Sequence, residues 1–303
     1  MNYTVDVIIP TYRPGKSFQQ LLDQLDRQSY PIRRILVINT DESLYPAGIR
    51  QPECMELYHI RKEEFDHGTT RNRAAAMSEA DLMLFMTQDA VPADTELVAN
   101  LAAAFADETV GAAYARQIAH PEHSAIERYT RSFNYPEKSF VKRAVDLGRL
   151  GIKTFFCSDA CAMYRRSLYL ERGGFRPQAI FNEDMIFASE LIYGGYGIAY
   201  RADAKVIHSH EYTGMQQLRR NFDNGVSHAV NSRLFDEVPA YGEGMSLVRK
   251  TAWYLITHGE AAQCPKLVWL SACKLIGFTL GKNYYKLPKS VIKKLTSNQD
   301  YWE

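Results

Sequence analysis

The stretch Leu82–Ala90, LMLFMTQDA, has five apolar residues in a row and then a polar triplet with one carboxylate, Asp89. A short apolar run bounded by polar residues is typical of a central strand covered on both faces, as in parallel α/β sheets. Asp89 then lies at the carboxyl end of that strand, where open α/β sheets form their ligand crevice. The sequence therefore predicts an α/β fold with Asp89 at its ligand-binding edge. The alternative is an Asp that only caps a loop.

Strand-like and helix-like segments alternate around this strand. The predicted strands of the first half are 5–10, 33–40, 56–61, 82–86 and 111–118. Because the connections between such segments are short, the pattern predicts βαβ units and a Rossmann-like, mixed but mostly parallel sheet.

Three helices carry local start signals. Ser17 is predicted to cap the first helix, whose apolar residues Phe18, Leu21, Leu22 and Leu25 have helical spacing. A glycine turn is predicted to open the alanine-rich helix at 67–78, and a further helix covers about 94–106. Asn182 is the predicted cap of a helix at 181–197.

Length and composition limit the domain organisation. With 303 residues, 46% of them hydrophobic and 23% charged, the chain can bury a large core, as one large domain or as a domain with an appendage. The main domain is predicted at 1–240, with a nucleotide-binding half at about 1–118 and a less regular half at about 119–240. Residues 241–303 are predicted to form an amphipathic, basic helical region.

Charge and cysteine content exclude several classes of protein. The net charge of +1 gives no overall field that would attract nucleic acid. Five cysteines, an odd number without zinc-ligand spacing, argue against a disulfide framework or a structural zinc site. The N-terminus leads straight into a strand and leaves no room for a signal peptide, so we expect the protein in the cytoplasm.

Five motifs give the chain a family resemblance. In order they are VIIPTYRPG, FDHGTTRNRA, FMTQDA, FNEDM and VIHSH, and they cover about residues 4–235. Together they resemble the family 2 glycosyltransferases of GT-A fold, in particular the bacterial rhamnosyltransferase-like branch. The resemblance implies sugar transfer from a nucleoside diphosphate sugar to an acceptor hydroxyl, with a divalent metal and inversion at the anomeric carbon. The branch implies dTDP-L-rhamnose as the donor.

The metal site is predicted at Asp89, with Mg²⁺ or Mn²⁺ as the ion. The family's usual motif is Asp-x-Asp, whereas Thr87-Gln88-Asp89 keeps one acid and places Gln88 near the donor sugar. One acid suffices because Mg²⁺ fills its other positions with phosphate oxygens and water. His208 and His210 are predicted to point to the same face of a strand and to supply further ligands. The alternative is a hydrogen-bonded histidine pair.

The acceptor side is predicted at three acids. Glu183 and Asp184 are adjacent at a helix start, about 100° apart around the axis, so one of them should face the crevice. The family pattern assigns Asp184 as the general base and leaves Glu183 next to the acceptor. The alternative is that both acids complement the helix dipole. Asp159 falls where relatives place acceptor-binding residues, and a purely structural hydrogen bond is its alternative.

The diphosphate is predicted to bind at the start of the helix that carries Gly68 and Arg71. A helix N-terminus with an arginine favours phosphate, and a glycine allows close approach of the backbone. The alternative is a surface arginine on an ordinary helix.

The nucleotide base is predicted to bind at the ends of the first two strands. Pro10 and Thr11 match the base-binding corner of the family. Where relatives carry an acidic pair followed by Gly-Ser, this chain has Asn39-Thr-Asp41-Glu-Ser43. The altered segment is compatible with thymine in place of uracil.

The C-terminal region carries a different signal. Between residues 261 and 299 there is no Asp or Glu, but there are seven lysines, at 266, 274, 282, 286, 289, 293 and 294. The apolar run at 267–281 is interrupted by Lys274 and is shorter than the roughly 20 residues that span a bilayer. We expect a helix in the interface of an anionic membrane, at the inner face of the cell membrane. A helix packed on the catalytic domain or an oligomer contact is the alternative.

The sequence thus predicts a metal-dependent inverting glycosyltransferase that moves L-rhamnose to a hydroxyl of a lipid-linked cell-surface glycan. Three alternatives stay open. A transferase for another nucleotide sugar would share every motif. A metal-dependent nucleotidyltransferase would share the α/β half-domain and the metal Asp, but has no need for a base such as Asp184. A non-catalytic membrane adaptor would need only the C-terminal region.

Overall fold

The computed structural model describes residues 3–235 and 243–302, which form two compact units. The first unit contains the chain up to residue 118 together with 135–178 and 183–208. The second contains 119–134, 179–182 and the described residues from 209 onward. The predicted domain boundary near residue 240 lies outside the described residues and stays a prediction.

A single mixed sheet forms the centre of the first unit. Its strands are β1 Val5–Tyr12, β2 Arg34–Thr40, β3 Met55–Ile60, β4 Leu82–Met86, β5 Val91–Pro92, β6 Val110–Ile118, β7 Phe140–Lys142, β8 Cys161–Arg165 and β9 Gly197–Ile207. Their order is β3-β2-β1-β4-β8-β6-β9-β5, and β7 pairs with β9. The first four strands in this order are parallel. All five residues of β4 are buried, as predicted for a strand covered on both faces.

Several strands end at the same edge of this sheet. β8 is antiparallel to β4, so its first residue, Cys161, pairs with Met86, the last residue of β4. β6 is antiparallel to β8 and parallel to β9, which brings the ends of β6 and β9 to this edge as well. We call it the carboxyl edge: the residues that directly follow β1, β2, β4, β6 and β9 or precede β8. It is the edge at which Asp89 was predicted.

Helices connect these strands and build the second unit. In chain order they are α1 Lys16–Leu25, α2 His67–Met77, α3 Leu97–Ala103, α4 Ala125–Asn134, α5 Leu147–Leu150, α6 Arg166–Glu171, α7 Glu183–Tyr193, α8 Gly214–Val230, α9 Ser232–Phe235, α10 Glu243–Thr257, α11 Cys264–Lys282 and α12 Lys289–Leu295.

The start of α1 differs from the prediction. Its predicted apolar face is buried, but Ser17 lies inside the helix and does not cap it. Gly15 occupies the capping position and, as a glycine, has no side chain that could make a capping hydrogen bond. The helix is therefore held by its buried face, because burial of an amphipathic face stabilises a helix more than its cap does.

The start of α2 is also different. Asp66 caps this helix by accepting a hydrogen bond from the Thr69 amide at 2.7 Å, so Gly68 lies within the helix and not in a turn. A Cβ atom at Gly68 would lie 2.5 Å from the carbonyl oxygen of Arg176. At Gly68 the group that comes close is therefore the Arg176 carbonyl, which belongs to the protein's own backbone.

The segment around the two predicted histidines is not a strand. β9 ends at Ile207, so His208 and His210 both follow the strand. The argument that strand alternation turns both side chains to one face does not apply to them.

Asn182 directly precedes α7 in an unusual conformation. Its φ of 65° is left-handed, a region that residues other than glycine seldom adopt. Its side-chain amide donates a hydrogen bond to Asn224 Oδ1 at 2.7 Å. The chain is thus fixed at the residue before the predicted base-bearing pair, Glu183 and Asp184.

Within the second unit, α8 and α11 pack with their backbones in contact. A Cβ atom at Gly277 would strike the Leu218 carbonyl oxygen, and one at Gly281 would strike the Phe222 carbonyl oxygen. A Cβ atom at Gly225 of α8 would likewise strike the backbone of α11. Glycine is therefore required on both helices for this close packing.

The outer face of α11 is apolar. Val268, Trp269, Leu275 and Ile276 are 49–67% exposed. Val268 and Leu275 are seven residues apart, as are Trp269 and Ile276, so each pair lies on the same side of the helix. Trp253 on α10 is 70% exposed. Among the described residues, none of the helices combines the length and apolarity needed to span a bilayer.

Some predicted members of this surface are packed inside the second unit. The Phe278 ring lies 5.0 Å from the His228 ring, and the Tyr284 ring lies 5.4 Å from the Trp302 ring. Lys274 is half-buried, and burial lowers the pKa of its ammonium group. Phe278, Tyr284 and Lys274 are thus less accessible than expected for residues of a membrane-facing helical region.

Candidate active site

Asp89 and His208 meet at the carboxyl edge. Asp89 follows β4 and His208 follows β9, and the distance between Asp89 Oδ1 and His208 Nε2 is 3.5 Å. The Asp89 side chain is 33% exposed and that of His208 12%. A carboxylate oxygen and an imidazole nitrogen that converge in this way fit a divalent metal such as Mg²⁺ or Mn²⁺.

Gln117 orients the His208 ring. Its side-chain Nε2 donates to Ser158 Oγ at 2.8 Å, which leaves Oε1 as the acceptor for His208 Nδ1 at 3.0 Å. This bond turns the other ring nitrogen, Nε2, toward Asp89. Metal-binding histidines are held by such an outer partner. The sequence prediction missed Gln117, although a polar residue near the end of an apolar strand was a usable signal.

Gln88 and His210 were predicted to bind the donor sugar and the metal, respectively. Gln88, predicted near the donor sugar, makes two hydrogen bonds with the backbone of Tyr12, at 2.9 Å and 3.0 Å. It thereby ties the ends of β1 and β4 together. His210 belongs to the second unit, and its part in a metal site stays a prediction.

The predicted base-binding corner forms a small hydrogen-bond network. Thr11 Oγ1 donates to Asn39 Oδ1 at 3.1 Å, and Asn39 Nδ2 lies 3.0 Å from both the Asp41 carbonyl oxygen and His59 Nδ1. Asn39 is fully buried, whereas Asp41 and Pro10 are half-buried. The network places these residues together at the ends of β1 and β2, as predicted, and their contact with a base stays a prediction.

A second acidic group lies where α7 meets the loop before β8. Asp184 accepts hydrogen bonds from the Asp159 amide at 3.1 Å and from the Met185 amide at 2.7 Å. Tyr164 donates to Asp159 Oδ1 at 2.7 Å. Asp159 is only 4% exposed, and these contacts agree with the structural alternative for it. Contact of Asp159 with an acceptor stays a prediction.

Arg71 completes this group. Its Nε lies 3.5 Å from Asp159 Oδ2, its Nη1 lies 3.5 Å from Glu183 Oε1, and Nη1 also donates to the His67 carbonyl oxygen. Because Arg71 is 3% exposed, it is not the surface arginine of the alternative reading. Both Glu183 and Asp184 reach the group, where the sequence prediction expected one acid to turn away.

Burial changes the acidity of two of these carboxyl groups. Burial and the neighbouring Glu183 carboxylate raise the pKa of Asp184 to about 7. Burial raises the pKa of Asp159 well above its usual range, although the Arg71 guanidinium acts in the opposite direction. A carboxyl group that titrates near neutral pH has the property that a general base needs.

Residues 6–173 match the family described as Glycosyl transferase family 2. Two relatives match nearly the whole chain. The O-antigen chain rhamnosyltransferase RfbN of Salmonella typhimurium is 35% identical, over 98% of this chain and 96% of its own. The O-antigen chain rhamnosyltransferase WbaN of Salmonella anatum is 33% identical, over 98% and 95%. These matches confirm the family resemblance predicted from the motifs.

Solved structures of low sequence identity share the fold. The mannosyltransferase PcManGT from Pyrobaculum calidifontis, solved with GDP-Man and Mn²⁺, superposes with a TM-score of 0.59 at 17% identity, covering all of this chain and 85% of its own. TarS 1-349 of S. aureus, solved with UDP-GlcNAc, gives 0.51 at 16% identity, covering 93% and 91%. The likeness confirms the predicted GT-A fold.

Proposed function

The chain belongs to glycosyl transferase family 2, and from this premise we propose that it moves L-rhamnose from dTDP-L-rhamnose to a hydroxyl of a lipid-linked glycan. Both near-full-length relatives are named rhamnosyltransferases of the O-antigen chain, which supports the sugar and a glycan acceptor. The observation that carries the proposal is the pairing of Asp89 with His208 at the carboxyl edge, the position at which α/β sheets bind ligands.

Asp89 and His208 are the residues that would hold Mg²⁺ or Mn²⁺, with His210 as the further ligand predicted from the sequence. Support comes from the orientation of His208 by Gln117 and from Mn²⁺ in the PcManGT structure. Such an ion supplies stabilisation of the negative charge that develops on the leaving diphosphate.

Asp184 is the proposed general base. Its carboxylate takes the proton of the acceptor hydroxyl while that oxygen attacks the anomeric carbon, and the bond to the nucleoside diphosphate breaks. Attack from the face opposite the leaving group inverts the anomeric centre. Asp184 accepts hydrogen bonds from two backbone amides. These bonds fix the direction of its carboxylate before the acceptor binds.

The donor is proposed to bind along the ends of β1 and β2. Thr11 and Asn39 are buried there and hydrogen-bonded to each other, whereas Asp41 is half-buried, so Asp41 is the one of the three suited to contact the edge of a pyrimidine base. Since the TarS structure shows that this fold also accommodates UDP-GlcNAc, the choice of nucleotide and sugar needs a direct test.

The first test measures donor binding by thermal shift with Mn²⁺ present. We expect dTDP-L-rhamnose to raise the melting temperature more than UDP-glucose or UDP-N-acetylglucosamine at equal concentration, because stabilisation follows affinity. A ligand at 100 times its Kd adds about 2.7 kcal/mol to the free energy of unfolding. Equal or reversed shifts would remove rhamnose from the proposal and keep only sugar transfer.

A second test identifies the product released with a lipid-linked glycan as acceptor. A glycosyltransferase releases nucleoside diphosphate, whereas a nucleotidyltransferase releases or consumes pyrophosphate. Rhamnose in the lipid fraction together with dTDP in solution is the expected result. Pyrophosphate turnover instead would show that the alternative enzyme class is correct.

We also propose that the second unit binds the anionic inner face of the cell membrane. Its apolar outer surface on α11 carries Trp269, and the lysines at 286, 289, 293 and 294 are exposed. Each basic residue near such a surface contributes about 1 kcal/mol, and exposed apolar side chains add burial in the headgroup region. The enzyme would then meet a lipid-linked acceptor at the membrane that holds the acceptor's lipid.

Co-sedimentation with vesicles tests this surface. The full-length protein should bind phosphatidylglycerol vesicles, bind phosphatidylcholine vesicles much less, and be partly released at high salt because salt screens the lysines. Truncation near residue 244 is a poor test, since it would remove α11 from its contact with α8. If the protein ignores both vesicles but sediments as a dimer, the apolar face is an oligomer contact.

A further inference from the structure

Arg71 contacts acids of the protein itself. It is buried, and its guanidinium faces two carboxyl groups, Asp159 and Glu183, at 3.5 Å each. An arginine that binds a diphosphate must present its planar N–H groups to the ligand. Nε and Nη1 of Arg71 face Asp159, Glu183 and the His67 carbonyl oxygen, which favours an effect on the reaction through these residues.

The contact between Arg71 and Asp159 is incomplete as a hydrogen bond. Arg71 Nε and Asp159 Oδ2 are both buried, and among residues 3–235 and 243–302 neither has a hydrogen-bond partner. They face each other across 3.5 Å, at the outer limit of a hydrogen bond. A buried polar atom without a partner is costly, so this pair is held by the surrounding fold.

The connection from Arg71 to Asp184 runs through its neighbours. Asp159 donates its backbone N–H to Asp184 Oδ2, and Glu183 is the residue before Asp184 on α7. Tyr164 holds the other oxygen of Asp159. Arg71 therefore contacts both residues that adjoin Asp184.

The charges in this cluster do not balance without bound protons. Asp159, Glu183 and Asp184 are three acids facing one guanidinium. Among the described residues, the other ionisable groups that interact with these acids include Tyr164, Tyr169, Cys157 and Cys161, with Lys142 in electrostatic range of Cys157. Burial raises the pKa of each of these phenols and thiols, so they are neutral at neutral pH. Burial and the Glu183 carboxylate raise the pKa of Asp184, whereas the two backbone amides and the Arg71 guanidinium lower it.

We propose that Arg71 is a positioning residue, which holds Asp159 and Glu183 beside Asp184 and acts on sugar transfer through them and not through the donor. The inference rests on the proposed function, with Asp184 as general base. Removing the positive charge favours the protonated form of Asp184, so fewer molecules have an active base at neutral pH. Removing the negative charge of Glu183 has the opposite effect.

The test titrates Asp184 without substrate. ¹³C-labelled aspartate gives a carboxyl signal whose pH midpoint is followed by NMR, and the signal is assigned by its loss in Asp184→Asn. We expect Arg71→Met to move the midpoint upward, since the nearby guanidinium acts to lower the pKa of Asp184. Arg71→Lys should stay near wild type, and Glu183→Gln should move the midpoint downward.

Arg73→Met is the matched control. Arg73 lies on the same helix, its side chain is 57% exposed, and it reaches Glu64 only at 4.0 Å. Its substitution should leave the Asp184 midpoint unchanged. If Arg71→Met does not fold, Arg71→Gln replaces it, because its amide can still bond with Asp159 and Glu183 but carries no charge.

Kinetics separate this role from donor binding. At neutral pH Arg71→Met should lower kcat by about fivefold for an upward shift of one pH unit, because Asp184 is about half ionised in the wild type at pH 7, while the donor Kd measured by calorimetry stays within about twofold. A tenfold weaker donor Kd with an unchanged midpoint would show that Arg71 is a donor ligand and overturn the proposal. An unchanged midpoint in both Arg71→Met and Glu183→Gln would overturn it as well.

The titration also keeps the two proposals apart. If no nucleotide sugar is turned over by the wild-type protein, sugar transfer fails as the function. The opposite shifts in Arg71→Met and Glu183→Gln would still report the control of Asp184 by Arg71. If transfer is found but the midpoints do not move, the function stands and the role of Arg71 is wrong.

Discussion

The two units of this chain use polar and apolar residues in opposite ways. The first unit buries most of its large apolar side chains and brings polar groups, such as Asp89, His208 and Asp184, to the sheet edge or beside it. The second unit leaves large apolar side chains such as Trp253 and Leu275 about two-thirds exposed. Polar convergence favours chemistry, whereas an exposed apolar face favours docking. Changes in the first unit should therefore affect transfer, and changes in the second should affect attachment.

The largest effect is expected from Asp89→Ala. Loss of the carboxylate leaves a metal ion with His208 and the donor's phosphates, so donor binding should no longer depend on Mn²⁺ and transfer should stop. Calorimetry with and without Mn²⁺ measures this, and binding to vesicles serves as the control that should not change. Donor affinity equal to wild type with Mn²⁺ would rule out Asp89 as the metal ligand.

Asp184→Asn should lower kcat by about 10²- to 10⁴-fold and keep donor binding, because an amide of the same shape cannot take the proton. In the wild type, kcat should rise with pH and level off above about 7, where Asp184 is ionised. Transfer by this variant at close to the wild-type rate would place the base elsewhere, with Glu183 or Asp159 as the next candidate.

The same substitution has a stability consequence of known sign. The pKa of Asp184 is higher in the folded protein than the usual 3.8 of an Asp, so the folded state binds the proton more tightly. Its contribution to stability is therefore present at low pH and is lost as pH rises from about 4 to about 7. Asp184→Asn should be at least as stable as wild type at pH 8, measured by urea unfolding.

Gln117→Leu should have a smaller effect on the same site. His208 would lose the acceptor that fixes its ring, and loss of such an outer partner typically weakens metal affinity by about 10- to 100-fold. Titration of Mn²⁺ by electron paramagnetic resonance measures the change. An unchanged Mn²⁺ affinity would show that His208 needs no support from Gln117.

The smallest effect is expected from the double variant Trp253→Ser and Leu275→Ser. Loss of two exposed apolar side chains should reduce binding to phosphatidylglycerol vesicles several-fold and leave kcat with a water-soluble acceptor unchanged. Val145→Ser is the matched control, because Val145 is 89% exposed but belongs to the first unit. Equal vesicle binding by all three proteins would contradict docking through this face.

The sequence predicted the fold and the family because their signals are local. The apolar run of β4 and the alternation of strands and helices specify a sheet, and the order of the five motifs specifies the family. The predicted position of Asp89 at the end of β4 is borne out because that position depends only on the strand before it.

Features that depend on distant partners were missed. Gly68 leaves room for the backbone of Arg176. Gln117 near the end of β6 orients the ring of His208, which follows β9. The position of Arg71 at a helix start is visible in the sequence, whereas its burial between two acids is not, and its contact with a diphosphate stays a prediction. His208 and His210 were assigned to a strand that ends one residue earlier, since strand ends are set by pairing and not by composition alone.

The backbone contact between α8 and α11 has a consequence for how this chain tolerates mutation. In a saturation-mutagenesis screen for activity, Gly225, Gly277 and Gly281 should reject every other residue, because even an alanine methyl group would enter the space of the facing helix. Their intolerance would match that of Asp184, although they carry no reactive group. A screen scored by activity alone would therefore mistake them for part of the chemistry, and a parallel screen of protein abundance would separate the two groups.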